Sequence, residues 1–276
     1  MLNDLTQEAV ASSLRTRVFG RHLHVLSQTD STNSALLKLA QAGAEHGTVV
    51  CADHQTAGRG RRGRSWFSRP GDGLCFSLLL RGRRLLSDDV HWPAWVPLAS
   101  GTAVALGIAD TVAITPQLKW PNDLLLGGRK LGGILSESLL TTQSPPFFIV
   151  GIGLNVNLPQ KDLPEDLHDT ATSLIMATGR PVDRARLLSN ILERLEEQLE
   201  PVLDGEIAQA ISAYTGLCAT IGRQVSIEFA AAPPLIGLAE AVAPDGALLV
   251  QSLSSSSGPR KAETVAVRVG DVVHLR

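Results

Sequence analysis

Hydrophobic positions recur along this chain with two periods, and the switch between them divides it. Leu187, Leu188, Ile191, Leu192, Leu195 and Leu199 fall on one stripe, so the spacing predicts an amphipathic helix over Arg184–Leu199 with Glu193, Glu196, Glu197 and Glu200 on its solvated face. Shorter helices are expected over Asp4–Leu14, Ala35–Ala40 and Ile207–Tyr214. Pro93–Ala113 is apolar all round, which predicts a buried helix, with Gly101 and Gly107 allowing close packing. The apolar runs Thr48–Ala52, Leu74–Leu80 and Phe147–Val150 read as buried strands, and His22–Leu26 as another. Leu158–Leu174 reads as a long loop.

After Gly216 the pattern changes. Gln224–Phe229, Leu235–Val242, Ala247–Gln251, Glu263–Val269 and Val272–Leu275 are short strand-like runs, divided by Pro233-Pro234, Asp245-Gly246, Ser254–Ser257 and Gly270-Asp271. Roughly 55 residues of short strands and tight turns predict a small β-barrel. The expected class is α/β (α+β): a mixed-sheet domain over 1–217 and a barrel domain over 218–276.

Composition narrows this little. The chain has 276 residues, 44% hydrophobic and 19% charged, enough for a sizeable core. A net charge of -2 gives no general pull toward nucleic acid, so any basic site is local. Met1–Thr6 has no basic or apolar region of a signal peptide, and no unbroken apolar run reaches about 18 residues, so a cytoplasmic protein without a membrane span is expected. Cys51, Cys75 and Cys218 are scattered and odd in number; reduced thiols and no metal site are the reading.

The candidate chemistry begins at His54–Trp66, where three glycines and four arginines crowd into Gly58–Arg64. Gly58, Gly60 and Gly63 satisfy G-x-G-x-x-G, and Gly58, Gly63, Arg64 and Ser65 nearly satisfy a P-loop. Both motifs need a helix directly after the loop to receive phosphate. Here a turn cluster, Arg69–Gly73, leads into the Leu74–Leu80 strand instead. A glycine-bent loop rich in guanidinium groups remains a good seat for phosphate.

Three further stretches join it. Ser31-Thr32-Asn33 precedes a helix, either as caps or as a seat for a polar ligand head. Lys119-Trp120-Pro121-Asn122-Asp123, a short strand and Gly127-Gly128 predict a hairpin that brings Lys130 back toward Asp123 and Lys119. Lysines between apolar strands are costly unless paired or used by a ligand. Gly151 and Gly153 alternate in a strand, leaving one face bare for something flat.

Taken in order, Ser31-Thr32-Asn33, Gln55–Arg61, Lys119–Asp123, Arg129–Leu135 and Gly151–Asn155 resemble the motifs of biotin protein ligases, and the resemblance runs from about residue 22 to the C-terminus. It implies a catalytic domain like that of class II aminoacyl-tRNA synthetases, then an SH3-like barrel. It implies that biotin and Mg-ATP form biotinyl-5′-AMP, whose acyl group passes to a lysine of a biotin carboxyl carrier protein. About 20 residues precede the first strand, so the monofunctional type, without DNA binding, is expected, as a monomer or weak homodimer. By the resemblance, Lys130, Arg61 and Lys119 serve the chemistry. Ser31, Thr32, Asn33, Gln55, Gly58, Arg59, Gly60, Arg64, Trp66, Asn122, Asp123, Gly132, Gly153 and Asn155 serve biotin and ATP. Gly153 is expected as a floor under biotin's rings and Trp66 as a cap on adenine; Asp123 is left between magnesium and a lysine. Lipoate or octanoate ligation and non-catalytic sensing are the rival readings.

Overall fold

The computed structural model describes residues 4–81, 92–139, 147–229, 232–252 and 263–275. The Ser254–Ser257 separator and the first three residues lie outside them.

A seven-stranded sheet runs in the order β1-β2-β3-β7-β6-β5-β4. Its strands are β1 Leu23–Thr29, β2 Val49–Gln55, β3 Gly73–Arg81, β4 Gln117–Lys119, β5 Asp123–Leu126, β6 Arg129–Leu139 and β7 Phe147–Asn155. Among the described strands of this sheet, β1 and β2 pair in parallel and the other ladders are antiparallel. β2 and β3 flank the Gly/Arg loop and pair antiparallel, with Val49 opposite Leu78. That geometry excludes the Rossmann and P-loop readings, because no helix follows the loop.

The helices are α1 Gln7–Ser13, α2 Thr32–Gln41, α3 Trp92–Val112, α4 Leu174–Thr178, α5 Arg184–Leu203 and α6 Ala208–Leu217. α2 packs on one face of the sheet through Leu36 and Ala40 against Val50, Leu79 and Ile149. The main core lies on the other face, where α3 and α5 cross. α3 is long and apolar enough to cross a membrane by length and composition, a property the expectation of no span overlooked, but it is 67% buried here as the central core helix. Gly107 lets it touch α5: a Cβ there would sit 2.7 Å from Ile191 Cα. α5 buries its expected leucine stripe and also Arg184, whose guanidinium pairs with Asp4 and Asp53, each at 2.6 Å, and donates to Gly73 O at 3.1 Å. Removing one partner of a buried pair like this costs about 3–5 kcal/mol. It ties β2 to the start of β3, and so fixes both roots of the loop.

The region read as a loop, Leu158–Leu174, holds two 3₁₀ turns and leads into α4, which is capped by Ser173 Oγ and ended by left-handed Gly179. Five residues give too short a run for periodicity to reveal. Cys51, Cys75 and Cys218 are free; burial pushes the Cys75 thiol up to about 11.

The C-terminal strands form a second, antiparallel sheet in the order β11-β10-β9-β8-β12, with β8 Gln224–Glu228, β9 Leu235–Val242, β10 Leu248–Ser252, β11 Thr264–Val267 and β12 Asp271–His274. It is docked firmly. Trp95 Nε1 donates to Pro244 O at 2.7 Å and Trp120 Nε1 to Gly246 O at 3.1 Å. Val225, Ile227, Leu248 and Val250 join the main core cluster. This docking brings β12 beside the Gly/Arg loop.

Candidate active site

The site lies where α2's N-terminus, the Gly/Arg loop and the strands β6 and β7 meet. Ser31, Thr32, Asn33, Gln55, Arg59, Gly60, Arg61, Trp66, Asn122, Lys130 and Gly153 are among the residues lining one cavity. Ser31 stands at the N-cap with extended backbone but makes no side-chain cap bond. Of the two readings of Ser31-Thr32-Asn33, cavity lining is the one the geometry supports.

The floor is a closed hydrogen-bond network. Gln55 Oε1 accepts from Thr32 N at 2.8 Å and Thr32 Oγ1 at 3.1 Å. Ser77 Oγ stands 2.7 Å from Thr32 Oγ1 and 2.6 Å from Asn33 Oδ1. Asn33 Nδ2 donates to Glu137 Oε2 at 2.6 Å. Thr32, Asn33 and Ser77 are all buried, so the network is rigid and shielded. Gly151 makes room for it: a Cβ there would lie 2.2 Å from Asn33 Oδ1. The bare face at Gly153 is covered by Trp66, since a Cβ would meet the indole at 2.7 Å. The flat group expected against these glycines is therefore first a side chain of the protein itself.

The loop closes on itself above the floor. Gly60 N donates to Arg64 O at 2.7 Å and Trp66 N to Gly58 O at 2.8 Å. Arg62 and Gly63 turn the chain with φ of 55° and 72°, and a non-glycine residue in that region is strained. The arginines then fan outward. Arg59 Nη2 donates to Glu137 Oε2 at 2.9 Å and Arg61 Nη1 to Asn122 Oδ1 at 3.0 Å; Arg62 pairs with Asp271 at 3.2 Å, and Arg64 pairs with Asp271 as well.

Beside this cavity lies a cleft lined by Gly60, Arg61, Arg64, Trp66, Lys119, Asn122, Asp123, Lys130 and Asp271. The hairpin forms as expected, with Gly127 and Gly128 at φ of 58° and 75°, and sets Lys130 opposite Leu125. Lys130 Nζ donates to Asp123 Oδ1 at 2.6 Å, while β4 sets Lys119 opposite Asp123. Both lysines thus reach one cleft. Burial lowers the Lys119 pKa, with Asp123 opposing and Lys130 adding to the fall. Burial also lowers that of Arg61, with Asp271 and Asp123 opposing it. Two cations held part-buried and under-neutralised form a seat for an anion.

Gly58, Gly132 and Asn155 line neither cavity. Gly58 lets the loop cross Trp66, since a Cβ there would lie 2.7 Å from Trp66 O. Gly132 does the same for β7, where a Cβ would lie 2.7 Å from Gly153 O. Asn155 Nδ2 donates to Thr172 O at 3.0 Å, holding the end of β7. Three residues near the site escaped the sequence reading: Ser77, Glu137 and Asp271. Ser77 had a signal, being the polar member of an apolar strand run. Glu137 lies two residues beyond the Arg129–Leu135 motif, on a strand that continues to Leu139.

A mixed sheet carrying a partly open cavity beside a cleft rich in arginine and lysine suits one class: enzymes that hold a small molecule against an anionic second substrate. Comparison with known proteins gives the family. The model of the Biotin/lipoate A/B protein ligase family matches residues 25–157. The biotin--[acetyl-CoA-carboxylase] ligase of Mycobacterium tuberculosis is 37% identical over 273 residues, covering 96% of this chain and 95% of that protein. The enzyme of the same name from Paracoccus denitrificans is 33% identical over 240 residues, covering 82% and 93%. Among solved structures, biotin protein ligase from Aquifex aeolicus in complex with biotin and ATP superimposes with a TM-score of 0.76 at 29% identity, covering 93% of this chain and 99% of that one. The chain belongs to the biotin protein ligase family.

Proposed function

We propose that this chain is an ATP-dependent biotin protein ligase, which forms biotinyl-5′-AMP and transfers the biotinyl group to a lysine of a biotin carboxyl carrier protein. The observation that carries this is the junction of the two cavities at Lys130 and Arg61, which line both. Biotin carries a neutral hydrogen-bonding ring system at one end and a carboxylate at the other. The neutral Ser31, Thr32, Asn33 and Gln55 suit the rings, with the Trp66 indole that packs on Gly153 as the flat group beside them, and the cations at the junction suit the carboxylate.

The first step needs no general base, because the carboxylate is already the nucleophile. Its oxygen attacks the α-phosphorus, and the bond to the pyrophosphate oxygen breaks. The protein's task is to align the two anions and neutralise them. Lys130 and Arg61 stand where carboxylate and α-phosphate meet; Lys119, Arg64 and Asn122 border the phosphate side. In the second step the carrier amine attacks the acyl carbonyl, the bond to AMP breaks, and Lys130 steadies the oxyanion. Trp66 lines both cavities, which supports reading it as the cap on adenine. Magnesium arrives with ATP; Asp123 and Asp271 are the carboxylates lining the cleft beside the phosphates.

In this reading the large sheet with its helices, through residue 217, is the catalytic domain like that of class II aminoacyl-tRNA synthetases. Residues 218–276 form the SH3-like barrel, and the chain acts as a monomer or weak homodimer. The test is incubation with biotin, Mg-ATP and a carrier domain, followed by mass spectrometry of the acceptor lysine. Biotinylation there supports the reading. Its absence, together with a thermal shift for lipoate or octanoate and none for biotin, overturns it.

A further inference from the structure

We propose that Glu137 is a positioning residue for biotin, a role that rests on the reading of this chain as a biotin ligase. It acts through two other side chains, Asn33 in the cavity floor and Arg59 in the loop above it.

Gly133, Leu135 and Glu137 share one face of β6, by the two-residue period of a strand. The first two line the cavity, as does Ile134 between them, and Glu137 stands two residues farther along the strand. One atom, Oε2, accepts both from Asn33 Nδ2 at 2.6 Å and from Arg59 Nη2 at 2.9 Å. The two donors differ in freedom. Asn33 is buried, held by Ser77 Oγ at 2.6 Å, and pressed toward the Gly151 position. Arg59 belongs to a surface loop, and its side chain is 46% exposed. Glu137 therefore links a rigid floor to a movable roof.

The loop is pinned on three sides of the cavity: Arg59 to Glu137, Arg61 to Asn122, and Arg62 with Arg64 to Asp271. Of these, the bond to Glu137 is the one shared with a residue of the neutral, ring-binding floor. It fixes Asn33 with Nδ2 turned away and Oδ1 held beside Ser77, and it sets where Arg59 closes the cavity. Loss of the carboxylate frees a long cationic side chain and leaves the Asn33 amide without its charged acceptor. The cost falls on the molecule that uses this floor, which is biotin, and not on ATP, which uses the cleft.

The experiment compares the full chain with E137A, E137Q, R59A and the E137A/R59A double variant. Calorimetry reads biotin affinity in the absence of ATP; steady-state kinetics read KM for biotin, KM for ATP and kcat; melting temperature reports the fold. The expected result is a loss of about tenfold or more in biotin affinity for E137A, the size of a lost charge-assisted bond. KM for ATP should stay within about threefold, E137Q should recover part of the loss because a neutral amide oxygen still accepts from both donors, and E137A and R59A should combine less than additively, because the two residues share one interaction. Unchanged biotin affinity in E137A overturns the proposal. So do equal losses for biotin and ATP accompanied by a lower melting temperature, which mark a merely structural role, and so does strict additivity with R59A. A wild-type chain that binds no biotin overturns the functional reading itself, and is told apart because it fails before any variant is compared.

Discussion

Gly151→Ala is the most direct test of the cavity floor. The new Cβ would lie 2.2 Å from Asn33 Oδ1, 2.9 Å from its Cγ and 3.0 Å from its Nδ2. Relief requires Asn33 to retreat by roughly 1 Å to reach ordinary contact. α2 cannot back away as a body, because Leu36 and Ala40 are packed against Val50, Leu79 and Ile149. Asn33 must rotate, which gives up its 2.6 Å contacts with Ser77 and Glu137. Two lost contacts at a buried site cost about 2–4 kcal/mol, at ~1–2 kcal/mol each. If this falls on the binding-competent arrangement, biotin affinity drops roughly 30- to 1,000-fold, by the tenfold per ~1.4 kcal/mol conversion. If part falls on the fold, the melting temperature drops by ~2–4 °C per kcal/mol for a chain of this size. Titration calorimetry with biotin and a thermal melt on the same preparation read both shares. Biotin affinity within twofold of wild type, with an unchanged melt, would refute the argument that Gly151 exists to seat Asn33.

The other expectations are briefer. Lys130→Ala should nearly abolish biotin-dependent pyrophosphate exchange while the protein stays folded by circular dichroism; wild-type exchange rates would remove Lys130 from the chemistry. Trypsin should cut Gly58–Arg64 faster in the free protein than with biotin plus ATP, because the ion pairs that hold its arginines are partly solvent-exposed and weak, and phosphate adds stronger partners; equal cleavage with and without ligands counts against that ordering. Burial, with Lys119 and Arg223 nearby, lowers the His274 pKa to about 4 from the usual 6.5. The folded state therefore favours the neutral ring, so its stabilising share is full above pH 6.5 and lost as pH falls toward about 4. His274→Gln should flatten the fall in melting temperature over that window; parallel curves for the two proteins would contradict it.

Much of the site was legible because its local chemistry is stereotyped. Gly127-Gly128 fits a turn needing two positive φ values, so the return of Lys130 toward Asp123 followed from the residue types alone. The α5 stripe, the buried α3 and the strand-loop-strand frame around Gly58–Arg64 followed from periodicity. The ordered motifs pointed to the family without coordinates. Where the sequence reading placed Gly58, Gly132 and Asn155 at the ligand, the structure places them in backbone crossings and at a strand end. A motif records that a residue is required, not whether ligand or backbone requires it.

Periodicity, turn chemistry and motif order thus carried the element types, the family and most cavity residues, since each depends on neighbours a few positions away. Sheet register and the docking of the second sheet decided the rest. They put Ser77 under Asn33, joined Glu137 to residues 78 and 104 positions distant, and laid Asp271 against the loop. Such partners are chosen by the burial of whole strand faces in a common core, a long-range free energy that no short window of sequence contains.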